Sequence, residues 1–104
     1  MPRAGSRPLT GEDLGVAYVY LLRCADDSLY CGWTTDIQQR LAAHRSGTGS
    51  RYTRSRRPVE LAVAFSVADR STALREEARI KRLPRAAKLR LVEAHAAHPS
   101  LALP

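Results

Sequence analysis

Apolar residues dominate two short stretches in the first third of the chain, separated by a polar turn. Residues 17–24 form a mostly apolar run rich in Tyr, Val and Leu, which is typical of a buried strand. Residues 25–28 are polar and include two aspartates, whose side chains hydrogen-bond locally in turns. Residues 29–34 return to a strand pattern. We therefore expect a β-hairpin.

A helical pattern follows the hairpin. Thr35 is a good N-cap, and Gln38, three residues later, would complete a capping box. The helix should run to about Arg45 and stop at Gly47, because glycine adopts the left-handed conformation that ends many helices. Residues 46–57 are rich in Gly, Ser, Thr and Arg, which favours a loop.

The second half of the chain predicts one more strand and two more helices. Alternating apolar positions indicate a third strand over residues 58–67. Asp69 or Ser71 would cap a second helix that ends near residue 83. Proline at the first position predicts a third helix over residues 84–95.

This order of elements predicts an α+β fold, similar to an α/β sandwich. A small three-stranded antiparallel sheet would be flanked by about three helices. A length of 104 residues allows one domain. We place that domain at residues 16–97, between a flexible N-terminal tail at residues 1–15 and a C-terminal tail at residues 98–104.

The length of the hairpin loop decides whether two tyrosines, Tyr20 and Tyr30, share one face of the sheet. If Cys24 pairs with Ser28 across a three-residue loop, Tyr20 lies opposite Gly32 and both tyrosines share a face. A loop of two or four residues would place them on opposite faces. The sequence leaves both arrangements open.

Two predicted helices carry polar residues on the face that should pack inward. In the first, Ile37 and Leu41 define the apolar stripe. His44 falls between them, and Arg40 lies beside His44 one turn earlier. In the second, Glu77 lies near the middle of the stripe. A snorkelling arginine, a hydrogen-bonded core histidine and a glutamate paired with the lysine one turn later would each explain one residue. Together they indicate one shared site.

The charge distribution indicates a partner that carries phosphate. Lys and Arg total 17 against 10 acids, for a net charge of +7, and 15 of the cations are arginine, whose planar guanidinium binds phosphate in a bidentate manner. GC-rich coding would also explain the excess of arginine, and a basic loop that is simply solvated would also explain the arginine cluster. Residues 37–59, however, contain no acid at all. We therefore predict that this segment contacts nucleic acid. The residues predicted to make the contact are Arg45, Arg51, Tyr52, Arg54, Arg56 and Arg57.

Other features of the sequence point to the cytoplasm. Cys24 and Cys31 form neither a disulfide framework nor a metal site, and free thiols fit a reducing compartment. No run reaches the roughly 18 apolar residues of a membrane span. Residues 1–15 lack the apolar centre of a signal peptide. We expect a cytoplasmic protein with no membrane partner, and the oligomeric state stays open.

The hairpin carries two tripeptides that resemble the signature of the GIY-YIG nuclease superfamily. They are Tyr18-Val19-Tyr20 and Tyr30-Cys31-Gly32, with nine residues between Tyr20 and Tyr30. Tyr18 replaces the glycine of the superfamily name and Cys31 replaces an isoleucine, which leaves substrate preference open. The resemblance covers residues 17–91 and is closest to the small stand-alone bacterial branch.

The resemblance extends to three residues outside the tripeptides. Arg40 follows Gly32 by eight positions, where the family keeps its arginine. His44 stands one helical turn later, where many members keep a histidine or a tyrosine. Glu77 matches the acidic metal ligand on the later helix.

The resemblance implies metal-dependent hydrolysis of phosphodiester bonds in DNA, with structure-selective repair or processing as the expected role. One divalent cation, Mg²⁺ or Mn²⁺, would be held by Glu77. Arg40 would bind a non-bridging phosphate oxygen. Tyr20, Tyr30 and His44 would relay a proton from the attacking water, and the general base stays open between a tyrosine and His44.

Two functions of other classes compete with this interpretation. The chain could be a nucleic-acid-binding module that keeps the fold without turnover, or an adaptor that docks a partner through its arginines. The presence of Glu77 argues against both, because binding alone needs no carboxylate facing a phosphate. The sequence does not distinguish DNA from RNA or an endonuclease from an exonuclease.

Overall fold

The computed structural model describes residues 10–96 and contains one small β-sheet with helices packed against it. The strands are β1 (Ala17–Arg23), β2 (Leu29–Thr34) and β3 (Glu60–Val67). The helices of this part are α1 (Gly11–Leu14), α2 (Ile37–Ser46), α3 (Arg51–Arg54), α4 (Arg70–Lys81) and α5 (Arg85–Ala96). The predicted α+β class with a three-stranded antiparallel sheet is confirmed, and two single-turn helices, α1 and α3, join the three that were predicted.

The central strand of the sheet is β1, which pairs with β2 on one side and β3 on the other. Six of its seven residues are buried, as expected for a mostly apolar run. The N–H of Cys24 donates to the carbonyl of Ser28 at 2.9 Å, which closes a three-residue loop. Tyr20 lies opposite Gly32, so Tyr20 and Tyr30 share one face of the sheet.

The two faces of the sheet build two separate apolar clusters. Val19 and Leu21 pack with Cys31 on one face, which α4 and α5 cover with apolar side chains. The other face, which we call the tyrosine face, is defined by Tyr18, Tyr20 and Leu22 and is covered in part by α2. Cys24 and Cys31 belong to different clusters and are buried free thiols.

Helix α2 begins one residue later than the sequence predicts. The carboxylate of Asp36 accepts from the N–H of Gln39 at 3.1 Å, so Asp36 is the N-cap. The hydroxyl of Thr35, the predicted cap, donates instead to Glu12 at 3.3 Å. The helix ends at Gly47 as predicted, with a φ of 93° that favours glycine.

The prediction of a flexible N-terminal tail over residues 1–15 is wrong for residues 10–15, which form α1 and its two caps. Thr10 and Asp13 form a capping box around α1, and Gly11 is buried. The N–H of Gly11 donates to the carbonyl of Thr35. Helix α1 was not predicted because four residues are too few to show a helical periodicity. The predicted tail residues 1–9 and 98–104 lie outside the described part of the chain.

Three other boundaries differ from prediction. Residues 46–57, predicted as a loop, contain α3, which Ser50 caps by accepting from the N–H of Thr53 at 3.1 Å. Strand β3 begins at Glu60 and helix α4 ends at Lys81, both about two residues inside the predicted bounds. Within residues 10–96, no helix is long and apolar enough to cross a membrane.

Candidate active site

A buried hydrogen bond joins the central strand to the last turn of α2. The hydroxyl of Tyr20 lies 2.9 Å from Nε2 of His44, and the two residues are 1% and 0% exposed. Gly32 makes this geometry possible, because a Cβ at that position would lie 2.5 Å from the Tyr20 hydroxyl oxygen. The second signature tripeptide therefore supplies the space that the tyrosine of the first one fills.

The second nitrogen of His44 also has a partner. Nδ1 lies 2.8 Å from Oγ1 of Thr53, which is 0% exposed and reaches His44 from α3. Oγ1 of Thr53 in turn lies 2.9 Å from Oγ of Ser50. His44 is thus a hydrogen-bonded core histidine, as one alternative for this residue predicted. Thr53 was not predicted from the sequence, because only the capping pattern of Ser50 indicates α3 and nothing in the sequence links α3 to His44.

Burial sets the protonation states of the Tyr20–His44 pair. Burial raises the pKa of Tyr20 to about 12, although a hydrogen bond and the charge of Arg40 act in the opposite direction. Burial also lowers the pKa of His44, and Arg40 adds to this effect. Both groups are therefore neutral at pH 7. The neutral phenol can donate to Nε2 of His44 when the imidazole proton lies on Nδ1.

Arg40 is the cation that acts on both Tyr20 and His44, because it lowers the pKa of each. Its side chain is half-buried, and Nη1 donates to the carbonyl of Trp33 at a long 3.4 Å. This weak bond leaves most of the five guanidinium N–H donors available to an anion.

Tyr30 joins the site through its ring. The ring centroid of Tyr30 lies 5.2 Å from that of His44 in an edge-on arrangement, and 5.7 Å from that of Tyr52 in a stack. Within residues 10–96, no hydrogen bond joins the Tyr30 hydroxyl to Tyr20 or His44. Tyr30 therefore contacts His44 through its ring, and its predicted part in the relay stays a prediction.

Glu77 lies on α4 with its side chain 18% exposed. One carboxylate oxygen lies 3.4 Å from Nζ of Lys81, so the ion pair considered from the sequence is present. Its negative charge nevertheless acts on the signature residues, since it helps to raise the pKa of Tyr20 and of Cys31. For Cys31 the main cause is burial, and a pKa of about 12 makes that thiol unreactive at neutral pH.

The donors present fit one weakly chelated cation. In the described part of the chain, no three residues among His, Cys, Asp and Glu form a cluster that could hold a metal. A single, mostly buried carboxylate such as Glu77 suits Mg²⁺, which keeps several waters and completes its shell with substrate phosphate oxygens. It does not suit a structural zinc or calcium site.

The predicted nucleic-acid contacts divide into two groups. Arg45, Arg51 and Arg54 are exposed, and their side chains make no ion pair or hydrogen bond with residues 10–96. Arg56 is engaged, because it donates to Asp26 at 3.0 Å and lies 3.8 Å over the ring of Tyr52. The remaining cation, Arg57, donates to the carbonyl of Arg54 at 3.1 Å.

Tyr52 is also engaged within the protein. Tyr30 stacks on its ring and Arg56 lies over it, although 37% of the residue is exposed. The free cationic surface therefore consists of Arg45, Arg51 and Arg54, on α2 and α3.

Comparison with known proteins identifies the family. Residues 16–90 match the family described as the GIY-YIG catalytic domain. A UPF0213 protein of Oceanobacillus iheyensis is 49% identical over 76 residues, which cover 73% of this chain and 88% of that protein. A UPF0213 protein of Natronomonas pharaonis is 49% identical over 75 residues, which cover 72% and 88%.

A solved structure agrees with these relatives. The solution NMR structure of a UPF0213 protein from Bacillus halodurans has a TM-score of 0.51 and 40% identity, and the match covers 76% of this chain and 84% of that one. The family match spans the hairpin, α2, α3, β3, α4 and the first half of α5. The chain therefore belongs to the GIY-YIG nuclease family and is similar to its UPF0213 proteins.

Proposed function

We propose that this protein hydrolyses phosphodiester bonds in DNA with the help of one divalent cation. The observation that carries the proposal is the buried 2.9 Å hydrogen bond between the Tyr20 hydroxyl and Nε2 of a neutral His44. The charges of Arg40 and Glu77 both act on the pKa of the same hydroxyl, Arg40 lowering it and Glu77 raising it. A proton acceptor, a guanidinium and a carboxylate thus all influence one phenol.

Tyr20 and His44 work as a pair in this mechanism. With a pKa of about 12, Tyr20 is a neutral phenol at pH 7 and is a weak base by itself. The water oxygen attacks phosphorus as its proton passes to the Tyr20 oxygen and the phenol proton passes to Nε2 of His44. The bond from phosphorus to the 3′ oxygen breaks, and that oxygen takes a proton from solvent. His44 is the final acceptor because burial keeps it neutral.

Arg40 has two positions in the proposal. In the free protein it donates to the carbonyl of Trp33, and its charge acts on Tyr20, which is only 1% exposed. When a phosphate enters, Arg40 turns to a non-bridging oxygen and stabilises the charge that grows there. This movement also opens the Tyr20 hydroxyl to the attacking water.

Glu77 would hold the cation, Mg²⁺ or Mn²⁺. Such a cation would supply charge stabilisation at the leaving oxygen. Lys81 pairs with Glu77 in the free protein, but its side chain is 52% exposed, so its ammonium group can turn into solvent. Weak surface pairs of this kind cost little to break.

The free cationic surface of Arg45, Arg51 and Arg54 holds the DNA backbone beside the site. Phosphate contacts of this kind position a duplex or a strand without reading its sequence. We place the activity in DNA repair or processing in the cytoplasm, where the two buried free thiols are stable.

The test is cleavage of labelled single-stranded, duplex, nicked, flapped and branched DNA, and of RNA, with Mg²⁺ or Mn²⁺ and with EDTA. Glu77→Gln should reduce cleavage at least about 100-fold, because it removes the charge that holds the cation. Glu76→Gln removes the neighbouring carboxylate, which pairs with Arg79 at 2.8 Å, and should cut normally. Binding without cleavage by the wild type, or equal cleavage by both variants, would overturn the proposal.

A further inference from the structure

The neutral imidazole of His44 has one N–H, and the surrounding donors decide which nitrogen carries it. Nε2 of His44 lies 2.9 Å from the hydroxyl of a protonated Tyr20, and the nearby Arg40 guanidinium can only donate, so Nε2 is the acceptor that the site offers to the phenol proton. With the phenol as donor, Nε2 is the unprotonated nitrogen. The proton of His44 lies on Nδ1, which points to Oγ1 of Thr53 at 2.8 Å.

Thr53 can accept this hydrogen bond because its own proton has another acceptor. Oγ1 of Thr53 lies 2.9 Å from Oγ of Ser50 and 3.4 Å from the Ser50 carbonyl. The hydrogen bonds then run in one direction, from Tyr20 through His44 and Thr53 to Ser50. No buried side-chain nitrogen or oxygen of residues 10–96 lacks a hydrogen-bond partner, so each buried group in this series is satisfied.

The loop before α3 holds the His44 ring against this partner. A Cβ at Gly49 would overlap Nδ1 and Cγ of His44, so the backbone of Gly49 lies directly on the ring. Thr53 is fixed in turn by the cap of α3, where its N–H donates to Oγ of Ser50 at 3.1 Å. Neither the ring nor the hydroxyl has space to turn away.

We propose that Thr53 is a positioning residue that holds His44 in the Nδ1–H tautomer, so that Nε2 stays free to take the proton of Tyr20. The inference rests on the proposed nuclease function for its kinetic part, whereas the tautomer itself is a property of the protein alone. A third group that orients a general base is a common arrangement in hydrolytic sites. Here that group is neutral, so it selects the tautomer without raising the pKa of the imidazole through charge.

The first experiment reads the tautomer directly. In ¹⁵N-histidine-labelled wild-type protein at pH 8, NMR should show an N–H at Nδ1 of His44 and an unprotonated Nε2. In Thr53→Val, which removes the hydroxyl and keeps the volume, this pattern should weaken or reverse. Thr53→Ser should preserve it. An Nε2–H tautomer in the wild type would overturn the inference even if no variant folds.

The second experiment is kinetic and uses a matched control. Thr53→Val should lower kcat about 10- to 100-fold with KM little changed, because the chemical step loses its proton acceptor. Thr53→Ser should restore kcat to within about threefold, and Thr48→Val, the same change at an exposed loop threonine, should cost less than that. Equal kcat for Thr53→Val and the wild type would overturn the inference and leave the nuclease proposal standing. Absence of any cleavage by the wild type would overturn the nuclease proposal, and the tautomer would still be measurable.

Discussion

His44 is the residue whose surroundings most restrict the chemistry of the site. It is fully buried, it is hydrogen-bonded at both nitrogens, and its pKa is lowered chiefly by that burial. A charged imidazole in this position would lose the hydrogen bond from Tyr20 and face the cation of Arg40. The same burial that makes His44 a proton acceptor therefore makes its protonation costly to the fold.

This environment predicts how stability depends on pH. Unfolded His44 takes up a proton near pH 6.5, whereas folded His44 does so at a lower pH. Below pH 6.5 the unfolded state binds more protons, so the free energy of unfolding falls as pH falls, by at most about 1.4 kcal/mol per pH unit. Above pH 6.5 this contribution is fully present.

Urea unfolding of the wild type and of His44→Gln between pH 5 and pH 8 measures the effect. The stability difference between the two proteins should shrink as pH falls through 6.5. His95→Gln, which removes the half-buried imidazole that stacks on Phe65, serves as the control. A difference between the wild type and His44→Gln that stays constant over this range would contradict the burial of a neutral His44.

Elements differ in how well the sequence predicted them. The end of α2 at Gly47 and the start of α4 at Asp69 rest on local signals and were predicted correctly. The pairing of Tyr20 with Gly32 followed from the hairpin loop once its length was known. Helix α3 was missed because its Gly/Ser-rich surroundings read as a loop, and its main contact, from Thr53 to His44, depends on tertiary structure.

The N-cap of α2 provides a test at this scale. Asp36→Ala should lower the free energy of unfolding by about 1 kcal/mol, because it removes the acceptor of the Gln39 N–H. Thr35→Ala should cost less than about 0.5 kcal/mol, since it loses only an exposed bond to Glu12. Chemical denaturation of both variants decides the question. A larger loss for Thr35→Ala would restore the cap that the sequence predicted.

At the scale of the whole molecule, the two faces of one small sheet have different roles. The face of Val19 and Leu21 is closed by α4 and α5 and supplies the larger apolar cluster. The tyrosine face meets α2 and α3, which carry the buried polar pair and the exposed arginines. Glu77 influences both faces, since its charge reaches Tyr20 on one and Cys31 on the other.

The sequence indicated that Arg40, His44 and Tyr20 could lie close together, but not which other residues contact them. The helical wheel brought Arg40 and His44 to one face, and the hairpin register brought Tyr20 to them. Contacts between residues far apart in the sequence could not be predicted from spacing. Arg56 pairs with Asp26, 30 positions earlier, and is thereby committed to the fold, whereas spacing alone had grouped it with the free arginines.

The most direct measurement is single-turnover cleavage of DNA by Tyr20→Phe beside Tyr18→Phe, with Mg²⁺ or Mn²⁺. The two tyrosines lie on the same face of β1 and are almost equally buried, at 1% and 5% exposed, so the variants lose one hydroxyl from similar surroundings. We expect Tyr20→Phe to lose at least about 100-fold in rate and Tyr18→Phe to stay within about threefold of the wild type. Full cleavage by Tyr20→Phe would contradict the proton path from water through Tyr20 to His44.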